Sequence, residues 1–325
     1  LARRDHHLST GGAVMAAKSS TRRKAASPAW VVLKFGGTSV SSVERWETIA
    51  TLLRQRLAEG LRPVVVHSAL ATVSNKLDEL LHRALEMDVT AQVAGIRELH
   101  LRLAAGLQVD GEKELGGYFR ELEQLLAGIH LIREVSPRIQ ARVMGLGELM
   151  ATRLGAAYLA RVGLKVTWLD ARELLRSNMP PGTNERSAWL AANCDFDPDA
   201  ELQARFAAEA GVVLTQGFIA SNARGDGVLL GRGGSDTSGA YFAAKLQAAV
   251  LEIWTDVPGM FTANPKVVPG ARLLRLLSYE EAQEIASTGG SVLHPRCIRP
   301  CKRHDIPLKV LCTSQPELPG TLVTA

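Results

Sequence analysis

The sequence predicts an α/β fold, in which an open and mostly parallel central sheet lies between layers of helices. Short apolar runs rich in β-branched residues recur along the chain and predict buried strands. Segments with apolar residues at helical spacing separate them. Alternation of strands and helices is typical of a parallel sheet with helices on its faces. The predicted strands span residues 31–33, 63–66, 165–169, 212–219, 250–254 and 307–311.

Composition limits the classes of function that fit the chain. With 325 residues and 46% hydrophobic content, it is long enough for one large α/β unit or two lobes. Residues 1–29 hold six basic residues and one acid, so they account for the whole net charge of +5. We expect a disordered basic tail there, and neither a nucleic-acid-binding face nor a membrane segment in residues 30–325.

The four cysteines indicate free thiols and a cytoplasmic protein. They are few for a chain of this length, which argues against a disulfide framework. Cys297 and Cys301 lie four residues apart, but no second pair follows at the spacing of a zinc site. The sequence therefore predicts no metal site built by the protein alone.

Two glycine-bearing loops stand out, the first directly after a predicted strand and the second directly before a predicted helix. Lys34 ends the first strand and precedes Gly36 and Gly37, and Ser41 and Glu44 have the spacing of a helix-capping box. The carboxyl end of a strand that faces a helix N-terminus is where open α/β sheets hold anionic ligands. The second loop contains Arg232, Gly233, Gly234, Ser235 and Asp236, before a helix predicted from about Gly239 to Ala249.

Three further segments carry polar side chains at positions typical of sites. Residues 67–75 form a loop after the second strand, with hydroxyls at Ser68 and Ser74. Glu148 is predicted in the first turn of a helix that continues to Arg161, where the helix dipole favours a carboxylate. Residues 76–142 are predicted to be mostly helical and to carry no site residue.

The loop motifs resemble those of the aspartokinases, members of the amino-acid kinase superfamily. The matching strings are K-F-G-G-T-S-V at residues 34–40, G-R-G-G-S-D at 231–236 and W-T-D-V-P-G at 254–259. The resemblance covers about residues 30–324. It implies the amino-acid kinase fold and the ATP- and Mg²⁺-dependent phosphorylation of L-aspartate to 4-phospho-L-aspartate. That reaction is the first step of the lysine, threonine and methionine pathway.

The resemblance also implies roles for individual residues. Lys34 and Asp236 are the expected catalytic residues, with Asp236 holding Lys34 or a Mg²⁺-bound water. The expected aspartate-binding residues are Ser68, Ser74, Glu148 for the ammonium group, Arg232 for the α-carboxylate, and Ser235. The expected nucleotide-binding residues are Lys34, Gly36, Gly37, Gly233, Gly234, Thr255, Asp256, Phe261, Lys266 and Ser291.

Several positions depart from the family pattern on the nucleotide side. Phe261 replaces a tyrosine, Asn264 an aspartate, and Ser291 a lysine that faces a phosphate in relatives. We therefore expect weaker nucleotide binding than in relatives with the lysine. His294, which precedes Pro295, is predicted to be a structural histidine.

The resemblance divides the chain into an aspartate-binding lobe at about 30–226 and a nucleotide-binding lobe at about 227–325. Most aspartokinases continue into paired ACT regulatory domains, and this chain stops before them, so we expect no ACT domain and no feedback site within it. The oligomeric state stays open, and a homo-oligomer is one alternative. Whether the chain is a short form or part of a longer, bifunctional polypeptide stays open.

Two alternatives remain at the level of sequence. The first is a different amino-acid kinase, acting on glutamate, acetylglutamate, carbamate or a nucleotide, which Glu148 and the 231–236 motif disfavour. The second is a degenerate domain that binds ligands or mediates assembly without turnover, which the substituted nucleotide side favours.

Overall fold

A computed structural model describes residues 29–263, 267–288 and 292–325. The predicted tail at residues 1–29 therefore lies almost entirely outside the described residues. The same holds for Asn264, Lys266 and Ser291, so the expectations for these three residues stay predictions.

Strands make up one large sheet and two short ladders. In chain order they are β1 (Trp30–Phe35), β2 (Arg62–His67), β3 (Val166–Trp168), β4 (Ser177–Asn178), β5 (Asn193–Cys194), β6 (Val212–Gln216), β7 (Ile219–Ser221), β8 (Gly227–Leu229), β9 (Val250–Thr255), β10 (Leu276–Ser278), β11 (Leu308–Cys312) and β12 (Thr321–Thr324).

Helices connect most of these strands, and a 3₁₀ helix at Gly37–Val40 follows β1. The α-helices are α1 (Val43–Ala58), α2 (Val73–Ala84), α3 (Thr90–Gly106), α4 (Gly111–Ile132), α5 (Pro137–Arg161), α6 (Ala171–Leu174), α7 (Glu185–Leu190), α8 (Ala200–Ala208), α9 (Gly234–Leu246), α10 (Tyr279–Ser287) and α11 (Pro295–Arg303).

The large sheet has the strand order β10-β12-β11-β9-β1-β2-β6-β3. Neighbouring strands from β11 to β3 run parallel. Strand β12 pairs antiparallel with β11, and β10 pairs parallel with β12 at the edge of the sheet. The predicted α/β fold with an open, mostly parallel sheet is therefore confirmed. The central strands β1, β2, β6 and β9 are almost wholly buried, as a sheet covered on both faces requires.

Alternation along β1 sends neighbouring side chains to opposite faces of the sheet. Lys34 lies on the face covered by α9, where Gly239 allows the helix to pack closely: a Cβ there would lie 3.2 Å from Cβ of Lys34. Phe35 points to the other face and stacks on Trp254 of β9. The two faces of the sheet therefore differ. Lys34 faces α9, whereas Phe35 and Trp254 form an aromatic core on the other face.

Trp46 of α1 anchors the aromatic face. Its ring packs edge-on against His67 at a centroid distance of 5.4 Å, and its indole N–H donates to the Val40 carbonyl. Gly155 of α5 lies directly beneath, because a Cβ there would be 2.2 Å from Cη2 of Trp46. Burial among these rings lowers the pKa of His67 to about 4, so the imidazole is neutral at physiological pH.

The capping box predicted for Ser41 and Glu44 is wrong by one residue. Ser42 caps α1, and its hydroxyl accepts from the Arg45 N–H. The Ser41 hydroxyl instead donates to the Gly37 carbonyl at 2.6 Å and accepts from the Ala71 N–H at 2.8 Å. Because the 3₁₀ helix follows β1, α1 begins one residue later than predicted. The Ser41 hydroxyl then links the loop after β1 to the loop after β2 through its two hydrogen bonds.

Three other predicted boundaries are also wrong. The helix that carries Glu148 begins at Pro137 rather than near Glu148, so Glu148 lies in the middle of α5. The strand predicted at 212–219 is interrupted at Phe218, which has a φ of +67°. Helix α9 begins at Gly234, five residues earlier than predicted, because the glycine loop itself turns into the first helical turn.

Residues 76–142 are mostly helical, as predicted, and form α2, α3, α4 and the start of α5. Gly116 and Gly117 form a pair typical of a break between helices, but they lie inside α4. In the part of the chain that the structure describes, none of the helices combines the length and apolar character needed to cross a membrane.

The contact between Gly155 and Trp46 can be tested by substitution. Replacing Gly155 with Ala forces its methyl group into the indole ring, and we expect a loss of about 1–3 kcal/mol in the free energy of unfolding. Gly128 in α4 is the matched control, since a Cβ there meets no atom within 4 Å. Gly128→Ala should raise stability by about 0.5–1 kcal/mol. Urea denaturation of both variants measures the difference, and equal effects would contradict the packing described here.

Candidate active site

A cavity of about 580 Å³ opens at the carboxyl end of the parallel strands. Parallel strands end at the same edge of a sheet, so the loops after β1 and β2 meet there. The loop after β8, which belongs to the antiparallel β7–β8 ladder, lines the same cavity. The predicted site residues that line this cavity are Lys34, Ser68, Ser74, Glu148, Arg232, Gly233, Gly234, Ser235 and Asp236. The structure thus brings into one cavity residues as far apart in the chain as Lys34 and Asp236.

Lys34 and Asp236 form an ion pair at the centre of the cavity. Nζ of Lys34 lies 2.6 Å from Oδ1 of Asp236, and both side chains are at least 85% buried. Strand β1 delivers the lysine, and the first turn of α9 delivers the carboxylate. A buried ammonium group needs a partner of opposite charge, so each element fixes the other's charged group in place.

Glu148 also lines the cavity and is almost completely buried. Its Oε1 accepts from the Ala69 N–H at 3.3 Å, whereas Oε2 has no hydrogen-bond partner among the described residues. Burial raises the pKa of this carboxyl to about 8, despite the bond from Ala69. A buried carboxyl with one unsatisfied oxygen is suited to receive a cationic group from a ligand.

The Gly231–Gly234 turn presents Arg232 to the cavity. Gly233 has a φ of +67°, and a Cβ there would lie 2.1 Å from Cγ of His294, so only glycine fits. His294 caps α11 by accepting from the Arg296 N–H. Its pKa is lowered mainly by burial and next by Arg296. These contacts agree with the structural role predicted for His294.

Arg296 fixes the other side of the same turn. Its guanidinium donates to the Leu230 carbonyl, to the Ala192 carbonyl at 2.9 Å and to Oδ1 of Asn193 at 2.8 Å. Helix α11 is therefore joined to the residue that precedes Gly231. Sequence reasoning gave Arg296 no role, and no local motif marks it.

The predicted nucleotide-binding residues outside the cavity lie around the ends of β1 and β9. A Cβ at Gly36 would lie 3.6 Å from Nζ of Lys34, so this glycine adjoins the central lysine. Thr255 ends β9, and its hydroxyl donates to Asp256. Phe261 pairs with Leu273 in an isolated bridge. Lys266 and Ser291 lie outside the described residues.

Two of the four glycine N–H groups predicted to face phosphates are already bonded within the protein. The Gly36 N–H donates to the Trp254 carbonyl at 3.2 Å, and the Gly234 N–H donates to the Gly231 carbonyl at 2.9 Å. These bonds hold the two turns in shape. The predicted roles of Gly36 and Gly234 then consist in allowing close approach of a ligand rather than in donating hydrogen bonds.

The cavity also includes residues that sequence reasoning missed: Asn75, Gln140, Met144, Arg186, Leu190, Phe218, Leu229 and Gly231. Gln140 and Met144 stand eight and four residues before Glu148 and share its helix face. The pair Ser136-Pro137, a typical helix start, could have revealed this face. Arg186 follows a Pro- and Gly-containing stretch and has no recognisable motif.

Among residues 29–263, 267–288 and 292–325, no group of three His, Cys, Asp or Glu side chains could hold a metal ion. The four cysteines all lie in this range and are buried and unpaired. Mg²⁺ bound to a nucleotide needs only one or two protein carboxylates, and Asp236 offers one at the cavity.

Comparisons with known proteins agree with the fold and with the sequence motifs. A family model described as the amino acid kinase family matches residues 29–312. The chain is 35% identical to aspartokinase 2, chloroplastic, of Arabidopsis thaliana, over 90% of this chain and 54% of that protein. It is 34% identical to lysine-sensitive aspartokinase 3 of Escherichia coli K12, over 90% of this chain and 64% of that protein.

Among solved structures, a similar one is E. coli aspartokinase III in complex with aspartate and ADP. The TM-score is 0.80 at 32% sequence identity, covering 90% of this chain and 64% of that chain. The chain thus spans about half to two thirds of the length of these relatives. The amino-acid kinase fold predicted from the sequence is confirmed.

Burial of Glu148 predicts how stability changes with pH. The folded protein keeps this carboxyl protonated up to about pH 8, whereas the unfolded chain loses the proton near pH 4.5. Stability contributed by the protonated form is therefore fully present below about pH 4.5 and is lost as the pH rises to about 8. Glu148→Gln removes this dependence.

We expect the stability of Glu148→Gln relative to wild type to increase between pH 5.5 and 8, by on the order of 3 kcal/mol. Urea unfolding at several pH values measures it. Glu98→Gln, on the surface of α3, is the control, and its free energy of unfolding should change with pH as that of wild type does. A curve for Glu148→Gln that also ran parallel would show that Glu148 ionises normally in the folded protein.

Proposed function

Because the chain belongs to the amino acid kinase family, we propose that it transfers the γ-phosphoryl group of ATP to the side-chain carboxylate of L-aspartate, forming 4-phospho-L-aspartate. One observation carries the proposal: the Lys34–Asp236 pair, the unsatisfied carboxyl of Glu148 and the exposed Arg232 line a single cavity. The named relatives and the aspartate- and ADP-bound structure of E. coli aspartokinase III support it.

The charges of the cavity suit an amino acid with two carboxylates. Glu148 receives the ammonium group, and its second oxygen gains the hydrogen bond that it lacks. Arg232 binds the α-carboxylate with its planar guanidinium, a geometry that matches a carboxylate. Ser68, Ser74 and Ser235 line the space between these groups and Lys34, where their hydroxyls hold the reactive carboxylate.

In the reaction, an oxygen of the side-chain carboxylate attacks the γ-phosphorus, and the bond to the ADP oxygen breaks. No general base is needed, because this carboxylate is ionised at neutral pH. Both reactants are anions, so catalysis depends on cancelling charge where it develops. Lys34 supplies a fixed positive charge at the centre, and Asp236 positions it through the 2.6 Å contact.

The nucleotide lies, in this proposal, beside Gly36, Gly37, Gly233, Thr255, Asp256 and Phe261, with Lys266 and Ser291 completing the predicted set. Mg²⁺ bound to the phosphates would neutralise part of their charge, and Asp236 is the residue of the cavity that would hold either Lys34 or a Mg²⁺-bound water. The product enters the pathway to lysine, by way of diaminopimelate, and to threonine and methionine. A cytoplasmic location, a homo-oligomer and the two-lobe division remain predictions.

The direct test is ADP production with Mg-ATP and a panel of acceptors: L-aspartate, glutamate, acetylglutamate and carbamate. We expect turnover with L-aspartate at least tenfold above the others. Turnover with a different acceptor assigns the site to another amino-acid kinase. Calorimetric binding of ATP and aspartate without ADP production would indicate a binding domain without catalysis.

Replacing Lys34 with Ala should lower kcat by about 10²–10³-fold, the effect of losing one preorganised charge in a site. Lys245→Ala is the matched control, because Lys245 is equally buried and pairs with Asp199 at 3.2 Å, away from this cavity. That variant should lose stability but keep kcat in the folded fraction. Similar kcat values for the two variants would remove the catalytic role of Lys34.

Glu148→Ala and Arg232→Ala should raise the KM for aspartate by at least tenfold while the KM for ATP changes less than threefold. The reason is that both groups bind the amino acid, through charge-assisted hydrogen bonds. Steady-state kinetics with each substrate varied in turn measures both constants. A larger increase in the KM for ATP than in the KM for aspartate would show that Glu148 and Arg232 bind the nucleotide.

A further inference from the structure

Arg186 occupies a well-anchored position on the rim of the substrate cavity. Helix α7 is capped by Asn184 and packs against α5 and β8, with Trp189 buried between them. The guanidinium of Arg138 stacks over the Trp189 ring at 5.9 Å. Arg186 and Leu190 lie one helical turn apart and both line the cavity. The helix therefore fixes the backbone of Arg186 at the cavity, with the side chain itself exposed.

The charges that line the cavity do not balance without a ligand. Lys34 and Asp236 neutralise each other. Glu148 is largely protonated at neutral pH, because burial raises its pKa to about 8. Arg186 and Arg232 form no ion pair with any residue that the structure describes, whereas Arg138 pairs with Asp226 and Arg172 with Asp170. Two unpaired guanidinium groups in one cavity indicate a binding site for an anion.

The fold also places Arg186 on the same side of the cavity as Arg232. Gly231 lies against the end of α7: a Cβ there would be 3.2 Å from Cα of Ala191 and 3.4 Å from the Leu190 carbonyl. Arg232 follows Gly231 directly, and Arg186 stands one turn before Leu190. The two guanidinium groups therefore extend into the cavity from neighbouring backbone segments.

We propose that Arg186 is a second substrate-binding arginine, which binds the α-carboxylate of the amino acid together with Arg232. This inference rests on the proposed function. A carboxylate has two oxygens and accepts hydrogen bonds from two guanidinium groups at once. The reactive carboxylate has to keep an oxygen free for attack on phosphorus, so it lies towards Lys34. The α-carboxylate is left for the two arginines.

Replacing Arg186 with Ala should raise the KM for aspartate by roughly 10–100-fold, the effect of losing a hydrogen bond between charged groups. We expect kcat to change less than threefold and the KM for ATP to stay constant. Arg186→Lys should recover part of the loss. Arg102→Ala is the control, because Arg102 is an exposed helix arginine that lines a different cavity. A fall in kcat at constant aspartate KM would overturn the proposal and assign Arg186 to the transferred phosphoryl group.

A ligand that lacks the α-carboxylate identifies the group that Arg186 binds. β-Alanine keeps the ammonium group and the reactive carboxylate of aspartate but has no α-carboxylate. Calorimetric titrations of wild type and Arg186→Ala should show weaker aspartate binding in the variant and equal β-alanine binding in both. Equal weakening of the two ligands would overturn the assignment to the α-carboxylate.

The two proposals fail in different ways. Wild-type protein that neither binds nor phosphorylates aspartate refutes the proposed function, and the role of Arg186 falls with it. Wild-type protein that phosphorylates aspartate, together with an unchanged aspartate KM in Arg186→Ala, refutes only the role of Arg186.

Discussion

The ion pair between Lys34 and Asp236 is the contact on which the arrangement of this molecule depends. A lysine that is 8% exposed at the end of a central strand is costly unless an acid neutralises it. The first turn of α9 provides that acid only if the helix packs closely on β1, and Gly239 makes this possible. The glycine turn before α9 then has a fixed position, and Arg232 with it.

The same cavity illustrates how a binding site is maintained at a cost in stability. Glu148 is buried with an unsatisfied oxygen, and two arginines lack acidic partners among the described residues. The carboxyl of Glu148 costs stability as the pH rises towards its pKa of about 8, and neither arginine gains an ion pair within the described residues. Each is held in place by surrounding contacts: Glu148 by the Ala69 N–H, Arg232 by the turn at Gly233, and Arg186 by the anchored helix α7.

Much of the fold and of the site could be predicted from the sequence, because the relevant residues are neighbours in the chain. Lys34, Gly36 and Gly37 follow a strand, and residues 231–236 precede a helix, so local patterns indicated both loops. The sequence identifies Glu148 as a site residue but predicts its position within the helix incorrectly. The helix start at Ser136-Pro137 places Glu148 in the middle of α5, where it is buried, rather than in a first turn.

Other features depend on contacts between distant residues, which no local pattern contains. The choice of Ser42 over Ser41 as the cap of α1 is decided by Ala71, thirty residues away, whose N–H occupies the Ser41 hydroxyl. Phe218 interrupts a strand pattern because its N–H bonds to the Ser238 hydroxyl in α9. Arg186 has no signature at all, since only the folded chain places α7 beside Gly231.

The packing of His294 against Gly233 has a mechanical consequence. Helix α11 and its N-cap contact the Gly231–Gly234 turn and the residue before it at two points, through the imidazole ring of His294 and through the guanidinium of Arg296. The outer surface of the helix is partly exposed. A rotation of this helix would press on the turn that carries Arg232, because His294 leaves no room even for a Cβ at Gly233. The position of Arg232 is thus coupled to that of α11, although none of the residues of α11 lines the cavity.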